Sequence, residues 1–179
     1  MSTIDVPLIS RETFRHTMRQ LANSVGVLTT WRQGALHGMT ATAWMPLSLE
    51  PPLLLVCINQ GSDTELAMRE ATFFGINLLS TEQTDLAMRF AGRGQERYQL
   101  DDLERCHGPN GAVFFPGYAA ALEMRLAEIA TGGDHTIFIG AIVWADVQPA
   151  HTPLLHHQGG FCSLAPLPHE DAQQLRRAG

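Results

Sequence analysis

The sequence predicts a mainly β domain with peripheral helices, a barrel and not a doubly wound parallel sheet. Three observations carry that expectation. Apolar runs of strand length recur along the 179 residues, separated by glycine, proline and polar turns, and helical stretches are few. Strand and helix do not alternate as a parallel sheet with crossover helices requires. No strand leads into a G-x-G-x-x-G or G-x-x-x-x-G-K-[ST] loop, and Gly92-Arg93-Gly94 is too short a fragment to replace one, so no Rossmann crevice is expected.

Ser10 is placed to cap a helix running to about Asn23, with Phe14, Met18, Leu21 and Ala22 on one face. A strand follows over 25–30, and Arg32-Gln33-Gly34-Ala35 reads as a hairpin turn into a strand over 36–44. Pro51-Pro52 cannot sit in a central ladder, so it marks the loop before a strand over 53–59. Gln60-Gly61-Ser62-Asp63 turns the chain, and Ser62 or Asp63 caps a short helix over 64–70. Phe73-Phe74-Gly75-Ile76-Asn77-Leu78-Leu79 is a compact buried strand. Ser80 and Thr81 open a further helix with Gln83, Leu86, Ala87 and Phe90 inward, and the polar stretch 92–102 reads as a mobile surface segment. Two long strands over 119–129 and 137–147 are joined by a glycine-rich turn at 131–133, and 161–164 makes a last short strand. One domain over 1–164 thus precedes a weakly apolar tail over 165–179.

A net charge of −6 argues against a nucleic-acid surface, which needs clustered cations. The chain has no lysine, and its twelve cationic side chains are all arginines. Cys57, Cys106 and Cys162 are too far apart for a metal knuckle, and Cys57 reads as a buried, inert thiol. His151, His156 and His157 invite a metal, but adjacent strand histidines face opposite sides and no carboxylate is spaced with them, so no metal site is expected. There is no basic region followed by an apolar signal segment and no run long enough for a membrane span. A soluble cytoplasmic protein with reduced thiols is the expectation.

The segment Gly38-Met39-Thr40-Ala41-Thr42-Ala43-Trp44-Met45-Pro46-Leu47-Ser48-Leu49-Glu50-Pro51-Pro52 combines small side chains, which let a flat ligand approach the backbone, with hydroxyls that hold phosphate without lysine. Six motifs stand in order along the chain: Asn23-Ser24-Val25-Gly26-Val27-Leu28-Thr29-Thr30, Gly38-Met39-Thr40-Ala41-Thr42-Ala43, Ser48-Leu49-Glu50-Pro51-Pro52, Phe74-Gly75-Ile76-Asn77-Leu78-Leu79-Ser80, Phe90-Ala91-Gly92 and Gly133-Asp134-His135-Thr136. Together they resemble the flavin reductase-like family, from about Phe14 to Leu164. The resemblance implies an FMN-binding split β-barrel of Greek-key form, paired as a homodimer.

It also implies an NAD(P)H-dependent flavin reductase. The cofactors are FMN or FAD with NADH or NADPH, and the partner is a flavin-dependent monooxygenase that receives the reduced flavin. By the same resemblance the flavin lies along Thr40, Ala41, Thr42 and Ala43 and the loop to Ser48 and Leu49. Asn59, Ser62 and Thr64 supply further phosphate-side contacts, and Asn77, Leu78, Leu79 and Gln83 flank the ring and ribityl chain. His135 corresponds to the histidine facing the nicotinamide, and Asp134 shapes the turn.

Each of these residues also has a plainer reading. Thr40 and Thr42 are ordinary residues for one polar strand face, Ser48 can precede a turn, and His135 can be a turn histidine. Asn77 in an apolar strand needs hydrogen-bond partners, either ligand or backbone. Arg93 and Arg97 suit a pyrophosphate or a solvated charge run. Pro46 removes an N–H where the family has a hydroxyl residue, and His156-His157 replace aromatic residues. Hydride passes directly from nicotinamide C4 to flavin N5 at roughly 3–3.5 Å, so the protein supplies placement, with N–H groups of 78–80 expected to steady charge at flavin N1. Two rivals stand beside this reading: a flavoprotein that retains its flavin as electron carrier or oxidase, and a non-catalytic flavin-binding module on the same fold.

Overall fold

The structure, a computed structural model, describes residues 6–92 and 94–165. Helix α1 (Arg11–Met18) begins where expected, with Ser10 Oγ accepting from Thr13 N at 3.1 Å. It ends well before Asn23. Gln20 and Leu21 turn back on Thr17 and Met18, and the chain straightens so that β1 (Asn23–Ser24) pairs with His156 and Leu155. The expected apolar face of α1 is not buried, since Phe14 is 54% exposed and no residue of the helix is buried.

β2 (Gly26–Arg32) and β3 (Ala35–Ala41) form the anticipated hairpin across Gln33 and Gly34, both at positive φ. β3 does not continue to Trp44. The chain breaks at Thr42-Ala43 and starts a separate strand, β4 (Trp44–Ser48), paired with β5 (Leu53–Asn59). Pro46 is tolerated within β4 because that strand is a sheet edge. Helix α2 (Asp63–Glu70) is capped by Ser62, whose Oγ accepts from Glu65 N. β6 (Phe73–Leu78) follows. Helix α3 (Thr84–Ala91) starts later than Ser80, which instead forms the preceding turn, and it buries Leu86, Ala87 and Phe90 as expected.

The segment read as a surface loop over 92–102 is anchored. It contains a 3₁₀ turn (Gln95–Tyr98), buries Leu100 and packs Tyr98 on the core beside α3. A short hairpin, β7 (Cys106–His107) and β8 (Val113–Phe114), was not anticipated. β9 (Ala120–Gly132) and β10 (His135–Val147) are the two long strands, longer than read and bulged twice. The last strands are β11 (Leu155–His157) and β12 (Gly160–Cys162), an earlier hairpin than the single strand expected over 161–164. The tail lies, from 166 onward, outside the described residues.

The main sheet has the order β3-β2-β6-β9-β10-β5-β4. Its two edges are therefore consecutive strands joined only by Thr42 and Ala43. A flat sheet of seven strands would separate its edges by ~29 Å, whereas the link reaches only ~11 Å. The sheet must roll up. Among the described residues no ladder pairs β3 with β4, so the expected barrel is open along that seam. Inside the roll sit Leu28, Val56, Ile58, Phe74, Met124 and Phe138, all nearly inaccessible, while Val27, alternating with Leu28, faces a second core under α3.

One buried carboxylate shapes the loop beside this second core. Glu123 on β9 is wholly buried and accepts hydrogen bonds from Asn110 N, Asn110 Nδ2 and Ala112 N at 2.9–3.1 Å. We expect Glu123→Ala to cost about 3 kcal/mol in urea unfolding, because three donors lose a charged acceptor. A loss under about 1 kcal/mol would show that water substitutes for the carboxylate.

Candidate functional site

Thr40 and Thr42 open the site. Thr40 Oγ1 donates to Ala87 O at 2.6 Å, which ties β3 to α3 and leaves the oxygen's acceptor capacity toward a cavity. That cavity, about 450 Å³, is also lined by Val25, Thr42, Met88, His156 and Phe161. His156 and Phe161 meet edge to face across the β11–β12 hairpin at 6.3 Å. A second cavity of about 280 Å³ runs from Thr42 and His156 to Arg15 and Arg19 of α1. A third, about 500 Å³, extends from Arg15 to Asp134 at the tip of the β9–β10 hairpin. Shared walls make these one cleft: Thr42 and His156 belong to the first two, Arg15 to the last two.

His135 begins β10 at that tip, opposite Asn59 of β5. Its Nδ1 lies 2.7 Å from Asp134 Oδ1. The hydrogen bond from His135 holds the Asp134 carboxyl below its ordinary range, so the carboxylate is ionised and accepts only. Nδ1 must then carry the proton, and in the neutral ring Nε2 is left as an acceptor. Gln60 steadies the backbone here, donating through Nε2 to His135 O and through N to Asp134 O.

Several expected ligand residues make contacts within the protein. Thr64 is buried and donates to Gly38 O at 3.2 Å. Asn77 is wholly buried and answers its own demand for partners within the backbone: Nδ2 donates to Val27 O and Val113 O, and Oδ1 accepts from Phe115 N at 2.8 Å. Gln83 reaches Phe115 O and Pro116 O, and Leu79 is core. Ser62 is spent as the α2 cap, Ala41 is buried, and Leu78 is half-buried within β6. The N–H groups expected to face flavin N1 are engaged as well, Leu79 N with Val25 O and Ser80 N with Gln83 Oε1.

Ser48 and Leu49 lie at and just beyond the far end of β4, ~20 Å from Thr42 along an extended chain, and are not gathered into the cleft. Ala43 is exposed beside Thr42, its carbonyl held by Cys57 N. Arg97 is paired internally with Asp63 at 3.5 Å and with Gly92 O, so a larger groove of about 650 Å³ along α3 holds no free cation among its Arg89 and Arg97. His156, Phe161, Met88 and Arg15 were not foreseen as lining residues. The replacement of aromatics by His156-His157 was the one sequence signal pointing at that edge.

A family profile described as flavin reductase like domain matches residues 18–165. The chain belongs to the flavin reductase-like family. Its relatives include the reductase component of FADH(2)-dependent resorcinol hydroxylase of Rhizobium sp. (strain MTP-10005), 35% identical over 159 residues, covering 87% of this chain and 88% of that one. NADH:riboflavin 5'-phosphate oxidoreductase of Streptomyces pristinaespiralis is 32% identical over 162 residues, covering 89% and 92%. Among solved structures, flavin reductase PheA2 superposes with a TM-score of 0.80 at 31% identity, covering 88% of this chain and all of that one. The Streptomyces globisporus C-1027 NADH:FAD oxidoreductase SgcE6 with NAD and FAD fragments gives 0.82 at 29% identity, covering 93% and 99%.

The residues of the cleft fit a flavin. Met88 and Phe161 present apolar surface to a flat ring, and the threonine hydroxyls suit its polar chain and phosphate. Trp44, two residues beyond Thr42, keeps its indole N–H buried near Gly26 with no acceptor among the described residues.

The strand bearing His135 is fixed by a buried charge. Glu65 on α2 accepts from Thr136 Oγ1 at 2.8 Å and from Arg69 Nε at 2.6 Å. Burial opposes ionisation of Glu65, yet these hydrogen bonds outweigh it and its pKa lies below the usual 4.5. A carboxyl depressed by folding stabilises the protein above its unfolded pKa, and that stability is lost as pH falls through the lower folded value. Urea midpoints should therefore drop below about pH 4.5 in the wild type, and less steeply in Glu65→Gln. Parallel acid limbs in the two proteins would remove Glu65 from the account.

Proposed function

We propose that this protein is a flavin reductase that takes a hydride from NADH to FMN or FAD and delivers the reduced flavin to a partner monooxygenase. The observation that carries the reading is the cleft leading from Thr40 and Thr42 to the His135 hairpin, in a chain of the flavin reductase-like family. Relatives named as reductase components of two-component hydroxylases and monooxygenases support the partner, and those named NADH-dependent support the donor. The chemistry flavin supplies when bound is acceptance of a hydride at N5.

This chain's residues place the reactants. Thr40 and Thr42 hold the flavin's polar chain, His156 and Phe161 wall its ring, and Met88 excludes water. His135, oriented by Asp134, accepts a hydrogen bond from the nicotinamide carboxamide at Nε2 and so fixes the ring's face. The open seam, the exposed Met45 and Leu47 of β4 and the exposed Leu49 just beyond it support a split barrel completed as a homodimer, with Ser48 and Leu49 serving at the subunit boundary. Among the described residues no helix is long and apolar enough to cross a membrane, and cytoplasmic placement beside the monooxygenase follows from the proposed role.

The direct test follows NADH and NADPH oxidation with FMN, FAD or riboflavin added in turn. NADH oxidation that depends on added flavin, by protein colourless after gel filtration, is expected; a protein that stays yellow would be a carrier, and no turnover despite flavin binding would overturn the reading. His135→Ala should lower kcat about tenfold, raise the deuterium isotope effect from 4-deuterated NADH, and leave flavin affinity within about twofold, as loss of one oriented hydrogen bond implies. An unchanged isotope effect with unchanged kcat would remove His135 from nicotinamide placement.

A further inference from the structure

Helix α1 carries a feature that flavin binding leaves unexplained. Arg11, Arg15 and the C-cap Arg19 stand at i, i+4 and i+8, so their side chains share one face. Among the described residues Arg32, Arg69, Arg89 and Arg97 are ion-paired, whereas none of these three is. The arrangement works against the helix. Like charges four residues apart repel, and Arg11 sits at the positive end of the helix dipole. Packing does not compensate, because α1 buries nothing. A chain with net charge −6 thus concentrates unpaired cations on the wall of its cleft.

Their position says what they meet. Arg15 lines both the cavity that contains Thr42 and His156 and the one that ends at Asp134, next to His135. Arg19 lines the former, and its carbonyl accepts from Gln158 N at 3.2 Å, fixing the helix end to the β11–β12 turn. The acidic groups near the ladder are Glu12, in the first turn of α1, and Asp134, whose carboxylate His135 already engages. In a nicotinamide dinucleotide the pyrophosphate is one ribose away from the nicotinamide. A nicotinamide held at His135 therefore sets its phosphates along the stretch between Asp134 and Thr42, where Arg15 stands.

We propose that Arg15 and Arg19 bind the pyrophosphate of the nicotinamide dinucleotide. Guanidinium groups suit this because each offers paired N–H donors to phosphate oxygens. The proposal rests on the reading of the cleft as a flavin reductase site, and assigns the dinucleotide's phosphates, separate from those of the flavin, to α1.

The test is calorimetric titration of flavin-loaded protein with NAD⁺ and, separately, with nicotinamide riboside, which has no phosphate. FMN affinity is measured in parallel on the flavin-free protein. In the double variant Arg15→Gln, Arg19→Gln the Kd for NAD⁺ should rise about tenfold or more, as expected for lost charge-assisted bonds. Kd for the riboside and for FMN should stay within twofold, Arg15→Lys should retain part of the NAD⁺ affinity, and wild-type NAD⁺ binding should weaken with salt as the variant's does not. The variants keep their thermal midpoint because α1 contributes nothing to the core. An unchanged NAD⁺ Kd overturns the proposal alone. A rise in the FMN Kd instead assigns the arginines to the flavin, and an equal loss for the riboside makes α1 a wall of shape and not of charge; either result overturns it. Wild-type protein that oxidises neither NADH nor NADPH with any flavin overturns the underlying reading, and the assignment with it.

Discussion

Two residues, Thr42 and Ala43, separate the opposite edges of a seven-stranded sheet, and this short link governs the rest of the molecule. It compels the sheet to roll, and the roll converts one face of each strand into an enclosed core. Tight curvature needs close approach of backbones, and glycine provides it at two inner positions. A Cβ on Gly38 would stand 2.6 Å from Leu28 O, and one on Gly140 would stand 2.6 Å from the Phe74 ring. The link also brings Thr40 and Thr42 to the mouth of the roll, so the constraint that makes the core also makes the cleft.

Polar groups inside the protein extend this order to the loops. Asn77 stitches β2, β6 and the strand end at Val113–Phe115 together with three hydrogen bonds, and Glu123 holds the loop that precedes it. Gln83 fastens the same segment to the start of α3. Each donor and acceptor is spent internally, which rigidifies the frame behind the cleft. Direct hydride transfer asks for placement and not for an acid or base, and a frame of satisfied amides supplies placement. The groups left available at the surface are hydroxyls, an imidazole acceptor and guanidinium donors.

The strands were legible because their signals are local. Gln33-Gly34 marks a hairpin, Phe73–Leu78 is an apolar run of strand length, and Ser62 precedes a helical stretch as a cap. The break of β3 at Thr42 was not legible, since Leu36 to Trp44 reads as one continuous strand and only edge pairing with β5 divides it. Asn77 was rightly singled out as a buried amide, but its sequence does not tell a ligand from Val27 O or Phe115 N, and the backbone took it. Family likeness led to Thr40, Thr42 and His135; it gave no sign that Thr64 faces Gly38 O or that Ser48 lies a strand length away. His156 and Arg15 enter the cleft through tertiary placement of β11 and α1, which no local pattern encodes.

The cleft is built from unequal materials. Thr40 in its floor belongs to β3, which pairs with β2 where Val27 and Leu28 are completely buried, whereas its outer wall is a two-turn helix that buries no side chain. The free energy needed to detach α1 is correspondingly a small fraction of that needed to open the sheet. Helix α1 is therefore the element placed to open locally while β2 stays folded with the core. Opening at this wall is the cheapest motion available to the cleft and leaves Thr40 and Thr42 in register.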